Sequence, residues 1–500
     1  MAANVFRRLP VSPPAACRRR CQATHQRAEH GDGRADAGLN TVRSEGPPRA
    51  ASRAPKTPRL ERIVFRTSRL LDFVGQRELT AQIGHAVPEW PLVVLKECVD
   101  NGIDCCEEAG IAPVIAIEVS TAAQRAAITV SDNGPGIAAD TVAGILDYSV
   151  RVSSREAYVS PTRGAQGNAL KTVVAMPYAL DGDRGVVDIV SRGTAHHIVF
   201  AVDRIRQEPR ISHTQAAASV KNGTSVTVSW PDSACSILAS AKARFLQIAE
   251  DFVWFNPHLA LRLRWDGELC CSAEPSTPDW KKWKPSDPTS AHWYDEARLE
   301  RYLAAHLARA QDLGRDRPLR EIVAEFRGLS SSAKQKAVAE KSGTARLSLA
   351  EFLGNGETID HAGLTRLLAA MQHHSRPPGT RDLGTIGREH LLARFTACGV
   401  QPETFKYRRV AGIGDNGVPV VIETAFGWCP DAEPVRRIVA GVNWSVALGN
   451  PFRSFGRDGE GLEALLNQQR AGRAEPIVVV AHLASPRVEF SDRGKTALVL

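Results

Sequence analysis

The segment Lys96-Glu97-Cys98-Val99-Asp100-Asn101-Gly102-Ile103-Asp104 lies within residues 91–109, a stretch whose apolar spacing predicts an amphipathic helix. Pro91 suits the first turn of a helix, and Gly110 suits its end. Polar side chains recur along one stripe of this helix: Glu97, Asn101, Asp104 and Glu108. Another face is apolar: Leu92, Leu95, Val99 and Cys106. An ordinary solvated helix has the same pattern, so the stripe indicates a functional face only together with other segments.

A turn after a predicted strand is the second informative segment. Asp132-Asn133-Gly134-Pro135-Gly136 directly follows the predicted strand at residues 127–131. Glycines on both sides of Pro135 allow a flat ligand to approach the backbone closely, and Asp132 can accept a hydrogen bond from an exocyclic amine. Taken alone, these five residues are equally typical of a plain β-turn.

Two glycine-containing segments complete the set. Residues 163–171, Arg-Gly-Ala-Gln-Gly-Asn-Ala-Leu-Lys, run into the start of a predicted helix. Successive backbone N–H groups at such a junction bind phosphate oxygens, and Lys171 would add positive charge. Asn222-Gly223-Thr224 opens the predicted strand at residues 225–230, from which a hydroxyl can reach a polar group of a ligand. Neither segment is specific by itself, because glycine-rich loops are common.

Taken in this order and spacing, the four segments resemble the Bergerat-type ATP-binding fold of the GHKL ATPases. That superfamily includes type II topoisomerases, MutL, the large heat-shock chaperones and sensor histidine kinases. The resemblance implies an α+β fold with an α/β sandwich ATPase domain, and ATP and Mg²⁺ as ligands. A glutamate at position 97 favours the hydrolysing branch over the histidine kinases, which usually carry asparagine-rich boxes and a phospho-accepting histidine segment.

The resemblance also implies a role for each matching residue. Glu97 is expected to be the general base that activates water, and Asn101 to be the ligand of the Mg²⁺ that bridges the phosphates. Asp132 is expected to accept the adenine amine, with Thr224 supporting it through water. The other expected nucleotide-binding residues shape the pocket or form a phosphate-binding lid: Gly134, Gly136, Gly164, Gln166, Gly167, Asn168 and Lys171.

Several further segments resemble the B subunit of DNA topoisomerase VI and its bacterial relatives. Residues 78–85 and 153–156 match before the helix and before the lid, and the helical stretch 347–395 is expected to be that subunit's helix-two-turn-helix insert. Three segments of the last third are similar to its transducer domain: residues 441–445, 481–486 and 490–497. A loop lysine of that domain reaches the γ-phosphate, and Lys495 is the candidate, although a lone Gly-Lys loop is more often a surface turn.

This second resemblance covers roughly residues 73–500 and departs from the family at three points. Ala169 stands where relatives often have a third lid glycine, and Cys105 stands where alanine usually follows the helix aspartate. Neither change removes a proposed chemical group. The chain also stops five residues after Lys495, whereas the family's transducer continues into a long helix that joins the DNA-cleaving partner. Either the sequence is incomplete or the coupling differs.

The charge of the chain is unevenly distributed. The formal net charge is +8, but residues 1–62 hold 13 Lys and Arg against 5 Asp and Glu, and the rest of the chain holds 50 of each. The excess is therefore no guide to a nucleic-acid site in the remaining 438 residues. DNA contacts are expected from local patches instead, either Lys281, Lys282 and Lys284 or Arg408 and Arg409.

The predicted elements divide the chain into four parts. They are a disordered basic tail at 1–62, a GHKL ATPase domain at 63–273, a linker and helical insert at 274–400, and a transducer-like domain at 401–500. The first 21 residues of the tail lack acidic side chains and resemble an organellar transit peptide in composition, but Pro10, Pro13 and Pro14 break any amphipathic helix there, which favours a basic solvated extension. No apolar run approaches the roughly 18 residues of a membrane span. We therefore expect no membrane contact and a cytoplasmic, nucleoid-associated protein.

The expected function is that of the ATP-hydrolysing subunit of a topoisomerase VI-like enzyme. Two protomers would associate through their ATPase domains on ATP binding, and a separate A-type subunit would cleave double-stranded DNA, because no segment here resembles a cleavage domain. The alternative is a stand-alone GHKL clamp in DNA repair, defence or chaperone-like remodelling, without a cleaving partner. A third interpretation, a histidine kinase, predicts phosphohistidine after incubation with ATP.

Overall fold

The computed structural model describes residues 75–148, 157–164, 169–206, 208–312, 314–354, 360–414, 416–454, 460–492 and 494–499. Several predictions lie outside these residues: the tail at 1–62, the 153–156 match, and the lid residues Gln166, Gly167 and Asn168. The described residues belong to one compact unit. Among them, no helix is both long and apolar enough to cross a membrane.

The first half of the described chain forms a mixed sheet with helices packed on it. Its strands are β1 Val114–Ser120, β2 Ala127–Ser131, β3 Gly185–Ser191, β4 Thr194–Asp203, β5 Glu208–Ala217, β6 Thr224–Ser229, β7 Ala260–Trp265 and β8 Glu268–Ala273. They lie in the order β5-β4-β3-β6-β2-β1-β7-β8, with only β1 and β7 parallel among the described pairs. β1 and β3 bury alternate residues, as expected when one face packs against helices and the other does not.

The helices of this half are α1 Gln76–Ile83, α2 Trp90–Glu108, α3 Ala139–Ile145, α4 Ala169–Asp181, α5 Cys235–Ser240 and α6 Lys242–Phe255. α2 packs between α4 and α6 and lies over β1 and β2. Pro91 falls in the first turn of α2, where its missing N–H is not needed. Because 15 of the 19 residues of α2 are buried, its position is fixed by contacts on most sides.

The second half begins with helices and ends with a second sheet. The helices are α7 Glu296–Asp312, α8 Leu319–Ala324, α9 Ser332–Ser342, α10 Leu349–Phe352, α11 His361–His374, α12 Thr380–Leu383, α13 Arg388–Ala397 and, later, α14 Leu462–Gln468. The strands are β9 Lys406–Ile413, β10 Pro419–Trp428, β11 Arg437–Val442, β12 Ser445–Val446, β13 Ile477–Ala484, β14 Glu489–Phe490 and β15 Leu498–Val499. Short 3₁₀ turns lie at Val87–Glu89, Asp232–Ala234, Ala291–Trp293 and Pro402–Thr404.

The second sheet has the order β12-β11-β13-β10-β9, and all eight residues of β13 are buried. It meets α6 at a close approach: a Cβ on Gly441 would lie 2.5 Å from the ring of Phe255, so only glycine fits there. Beside it, Arg437 Nη2 donates to Asp251 Oδ1 at 2.7 Å and to Glu250 Oε2 at 2.9 Å. These contacts place the β11–β12 turn next to the helices of the first half.

Most predicted elements are confirmed, and the exceptions have physical causes. The helix predicted at 91–109 is α2, and the part predicted as linker and helical insert, 274–400, contains α7 to α13. The prediction missed β5 and β8, which lie at the two ends of the first sheet and expose most of their residues. Edge strands of this kind lack the apolar alternation that identifies a strand. The α+β class is confirmed, whereas the domain boundaries stay predictions.

Candidate functional site

The fold leaves part of the predicted polar stripe of α2 accessible to solvent and buries another part. Glu97 is half-buried and Asn101 is exposed, so both side chains reach the solvent side of the helix. Asp104, predicted on the same stripe, is instead only 1% exposed and bound to Arg163. Asp104 is withdrawn from solvent because Arg163, 59 residues away in sequence, pairs with it, and helical periodicity does not reveal such a distant partner. Glu97 and Asn101, four residues apart, remain on one accessible face.

Asp132 follows β2 and lies directly against α2. Its Oδ1 accepts a hydrogen bond from the backbone N–H of Gly134 at 2.8 Å and a longer one from that of Thr224 at 3.3 Å. A Cβ on Gly102 would lie 3.1 Å from Asp132 Cβ and 3.6 Å from Oδ2, so glycine next to Asn101 makes room for this carboxylate. Burial raises the pKa of Asp132, while the two backbone amides oppose that rise.

The turn after Asp132 interlocks with the turn before β6. Gly223 N donates to Gly134 O at 2.6 Å, and a Cβ on Gly223 would lie 2.2 Å from Asp132 O. Gly136 and Gly223 both have positive φ, +80° and +84°, which favours glycine. Ser191 joins the two turns: its Oγ accepts from Ile137 N at 2.8 Å and donates to Gly223 O at 3.0 Å.

Ser191 and the side chain of Thr224 were not predicted in these roles. The Thr224 hydroxyl lies 3.2 Å from Ser191 Oγ, whereas its backbone, rather than its hydroxyl, contacts Asp132. Ser191 is the last residue of β3, whose sequence is that of an ordinary strand. Nothing in the neighbouring sequence marks it as a residue of the site. Only the pairing of β3 with β6 brings it to the turn.

The lid region is described in part. Gly164 has open space around the position of a Cβ, and α4 begins at Ala169. Lys171 is only 1% exposed, its Nζ donates to Asp147 O, and burial lowers its pKa. This inward conformation differs from the prediction that Lys171 presents its charge to a phosphate. α4 packs against α2 and β3, and the Lys171 ammonium lies 5.7 Å from the centre of the Tyr148 ring.

Lys495 approaches α2 from the other end of the chain. Its Nζ lies 3.5 Å from the carbonyl oxygen of Arg163, 332 residues away in sequence. Burial and the neighbouring Lys96 lower the pKa of Lys495, and the carboxylates of Glu97, Asp100 and Asp104 oppose them. Lys495 also lines a cavity together with Lys96, Arg163 and Gly164. The fold thus brings the predicted loop lysine to the part of α2 that contains Lys96, the residue before Glu97.

The loop that carries Lys495 is docked on the two residues that follow α1. His85 Nε2 lies 3.1 Å from Gly494 O, and a Cβ on Gly494 would lie 2.5 Å from Gly84 O. Within the loop, Asp492 accepts hydrogen bonds from the N–H and the hydroxyl of Thr496, at 3.0 and 2.7 Å. The local turn and the docking together hold Lys495, whose φ is +54°.

A buried ion cluster lies on the covered side of α2. Arg163 donates from both terminal nitrogens to the carboxylate of Glu107 at 2.8 Å, contacts Asp104, and donates to Asn256 Oδ1 at 2.5 Å. Glu107 also meets Lys282 Nζ at 2.7 Å and His258 Nε2 at 3.0 Å. Burial alone would raise the pKa of Glu107, but Arg163 and Lys282 hold it well below its usual range. The cluster was not predicted from the sequence.

Lys282 does not belong to a DNA-binding patch. Its side chain is 3% exposed, and its Nζ lies 4.7 Å from the centre of the Trp444 ring besides meeting Glu107. The prediction that it contributes to such a patch was wrong, because a run of lysines in a linker gives no sign that one of them pairs with a distant buried acid. Lys281 and Arg409 are exposed, and their role in DNA contact stays a prediction.

Sequence comparison relates part of the chain to one kind of protein. No known family profile matches. The B subunit of type 2 DNA topoisomerase 6 from Natronomonas pharaonis is 33% identical over 131 residues, which are 25% of this chain and 16% of that protein. The corresponding protein of Halobacterium salinarum is 31% identical over 186 residues, 35% of this chain and 22% of that protein. The chain is thus a distant homologue of these proteins over part of its length.

Two solved structures were also found to be similar. The ATPase domain of Aquifex aeolicus MutL complexed with ADP has a TM-score of 0.31 at 10% identity, over 78% of this chain and 90% of that one. The B subunit of DNA gyrase from Myxococcus xanthus has a TM-score of 0.34 at 11% identity, over 85% of this chain and 86% of that one.

The interlocked turns generate a test of the site's construction. Gly223→Ala puts a Cβ 2.2 Å from Asp132 O, whereas Gly110→Ala, also at positive φ (+70°), meets no atom within 4 Å. Both variants carry the same backbone strain, so Gly223→Ala is expected to lower the free energy of unfolding by about 2–4 kcal/mol more than Gly110→Ala. Equilibrium urea unfolding measures the difference. Equal losses would mean that the two turns do not interlock.

Proposed function

We propose that the chain binds ATP with Mg²⁺ and hydrolyses it, as the ATPase subunit of a topoisomerase VI-like enzyme. The observation that carries the proposal is the approach of Lys495 to the segment of α2 that contains Lys96 and Glu97, since Lys495 and Lys96 line one cavity. Two parts of the chain separated by most of its length thus contribute to one region, where α2 offers a half-buried carboxylate, Glu97, and an exposed amide, Asn101, and the distant loop offers Lys495. That combination suits binding and cleavage of a terminal phosphate.

The adenine end of the nucleotide is assigned to Asp132. Its Oδ1 is held by backbone N–H groups, which leaves Oδ2 oriented toward Gly102 and α2. A carboxylate fixed in this way accepts a hydrogen bond from an exocyclic amine without having to reorganise. No side chain projects from Gly102, Gly134 or Gly136, which leaves space in the proposed pocket for a flat ring.

The phosphate end is assigned to α2 and the Lys495 loop. Glu97 accepts the proton of the attacking water, and Asn101 offers a side-chain oxygen on the same face, one turn along. Mg²⁺ prefers oxygen ligands, takes few of them from the protein and keeps several waters, which fits an exposed Asn101. When bound, the ion neutralises phosphate charge. Lys495 then contributes its positive charge to the γ-phosphate.

The topoisomerase part of the proposal is supported by partial homology. The matched segments are 16–22% of the length of the related B subunits. From this resemblance we propose three partners: a separate A-type cleaving subunit, a DNA duplex and a second copy of this chain. ATP would close the dimer of ATPase domains and hydrolysis would reopen it. The cleaving subunit would open one DNA duplex for the passage of another.

The catalytic role of Glu97 predicts a separation of binding from turnover. Glu97→Gln is expected to lower the ATP turnover rate at least about a hundredfold, because general-base catalysis is lost, and to leave ATP affinity within about threefold. Glu118→Gln, at an exposed position of β1, is the matched control with wild-type turnover. A phosphate-release assay and titration calorimetry give both quantities. Wild-type turnover in Glu97→Gln would contradict the assignment.

The predicted partner distinguishes a topoisomerase subunit from a stand-alone clamp. Purification of the full chain from its native cells is expected to retain a protein with a nucleophilic tyrosine and an acidic metal-binding domain. The complex should relax supercoiled DNA only with ATP, and less well as salt increases, because phosphate contacts release counterions. ATP turnover without such a partner, and without any change in DNA topology, would favour the stand-alone clamp.

A further inference from the structure

We propose that Ser445, in the turn between β11 and β12, is a positioning residue that sets α2 for ATP hydrolysis. The inference rests on the proposed function. Lys96 Nζ donates to Asp100 Oδ2 at 2.6 Å and to Ser445 Oγ at 2.8 Å, and Ser445 Oγ donates to the same Asp100 Oδ2 at 2.6 Å. The three side chains are all buried and form a closed triangle.

Among the residues that the structure describes, the Asp100 carboxylate accepts two side-chain hydrogen bonds, and the hydroxyl of Ser445 supplies one of them. Oδ1 of Asp100 is buried with no hydrogen-bond partner among the described residues, and Arg163 Nε, which lies 3.9 Å from it, is also unpartnered at that atom. Among the described residues, the hydrogen bonds to this carboxylate are therefore made at Oδ2. Without the Ser445 hydroxyl, only Lys96, four residues away on the same helix, would bond to it, and α2 would lose this link to the second sheet.

Lys96 and Asp100 immediately precede Glu97 and Asn101 in α2. Neighbouring residues of a helix are related by a fixed rotation, so a contact that fixes positions 96 and 100 also fixes positions 97 and 101. The triangle lies on the covered side of the turn, and Glu97 and Asn101 lie on the accessible side. A small rotation of this turn would move the general base relative to the attacking water, and catalysis is sensitive to shifts of about 1 Å.

The turn that presents Ser445 has an unusual backbone. Val442 pairs with Ser445, so Asn443 and Trp444 are the two central residues of a tight hairpin, with φ of +49° and +63°. Asparagine tolerates this conformation, but a bulky tryptophan does so only when its surroundings hold it there. Trp444 is fully buried, and its backbone N–H donates to His482 Nε2 at 3.0 Å.

Asn443 fixes the same turn from the other side. Its backbone N–H donates to Leu483 O at 2.8 Å, its side-chain amide donates to Ser485 O at 3.0 Å, and its Oδ1 accepts from Ser485 N at 2.9 Å. Strained backbone that is held by several contacts is typical of functional positions. Here it delivers one hydroxyl from the second sheet to the helix of the proposed general base.

The test compares ATP turnover by the full chain and by two Ser445 variants. Ser445→Ala removes the hydroxyl and is expected to lower kcat about five- to tenfold, with KM within about twofold of wild type, because binding groups are untouched. Ser445→Thr keeps a hydroxyl and is expected to return kcat to within about twofold of wild type. Ser212→Ala, on exposed β5, is the control with wild-type kcat. Thermal melting of each variant confirms folding.

Three outcomes decide the matter. A Ser445→Ala kcat equal to that of Ser212→Ala, or a loss that Ser445→Thr does not repair, would overturn the inference while leaving the proposed function intact. If Ser445→Ala does not fold, Asp100→Asn carries the test, with the same loss of kcat at unchanged KM expected and an unchanged kcat overturning it. Absence of turnover in the wild type would instead refute the proposed function.

Discussion

The bidentate pairing of Arg163 with Glu107 is the contact on which the rest of the site depends. Arg163 lies at the end of the segment that leads to Gly164, Glu107 lies on α2, and the same cluster takes in Asn256 after α6 and Lys282 from the linker. Three cations, Lys96, Arg163 and Lys282, lie among three carboxylates, Asp100, Asp104 and Glu107, all of them buried. Removing one member of such a set leaves an uncompensated charge, which is far more costly than losing an exposed pair.

The cluster explains how distant segments meet on α2. The backbone carbonyl of Arg163 is the contact of Lys495, and Asn256 donates from Nδ2 to Trp444 O at 3.0 Å, which ties α6 to the turn that presents Ser445. His85 and Gly84 contact the Lys495 loop at the neighbouring residue, Gly494. The covered side of α2 therefore makes the contacts that hold the other segments in place. Its accessible side presents Glu97 and Asn101. One helix separates the stabilising charges from the proposed catalytic groups.

What the sequence could predict depends on the range of the interactions. The limits of α2 and the turn at Asp132 were predictable because apolar spacing and glycine placement act over a few residues. The strain at Gly223 and the burial of Asp104, Lys171 and Lys282 were not, because each depends on a partner far away in the chain. Lys96 and Asp100 carried a weak signal, an i,i+4 pair of opposite charge. Ser191 and Ser445 carried none, since a serine at a strand end is ordinary.

The most direct test of the account is a crystal structure of the full chain with Mg²⁺ and a non-hydrolysable ATP analogue. We expect the exocyclic amine of adenine within about 3 Å of the Asp132 carboxylate and the side-chain oxygen of Asn101 on the metal. We also expect the Nζ of Lys495 to have moved from the Arg163 carbonyl to the terminal phosphate. A nucleotide bound away from α2, or bound there with Lys495 still on the Arg163 carbonyl, would contradict this account.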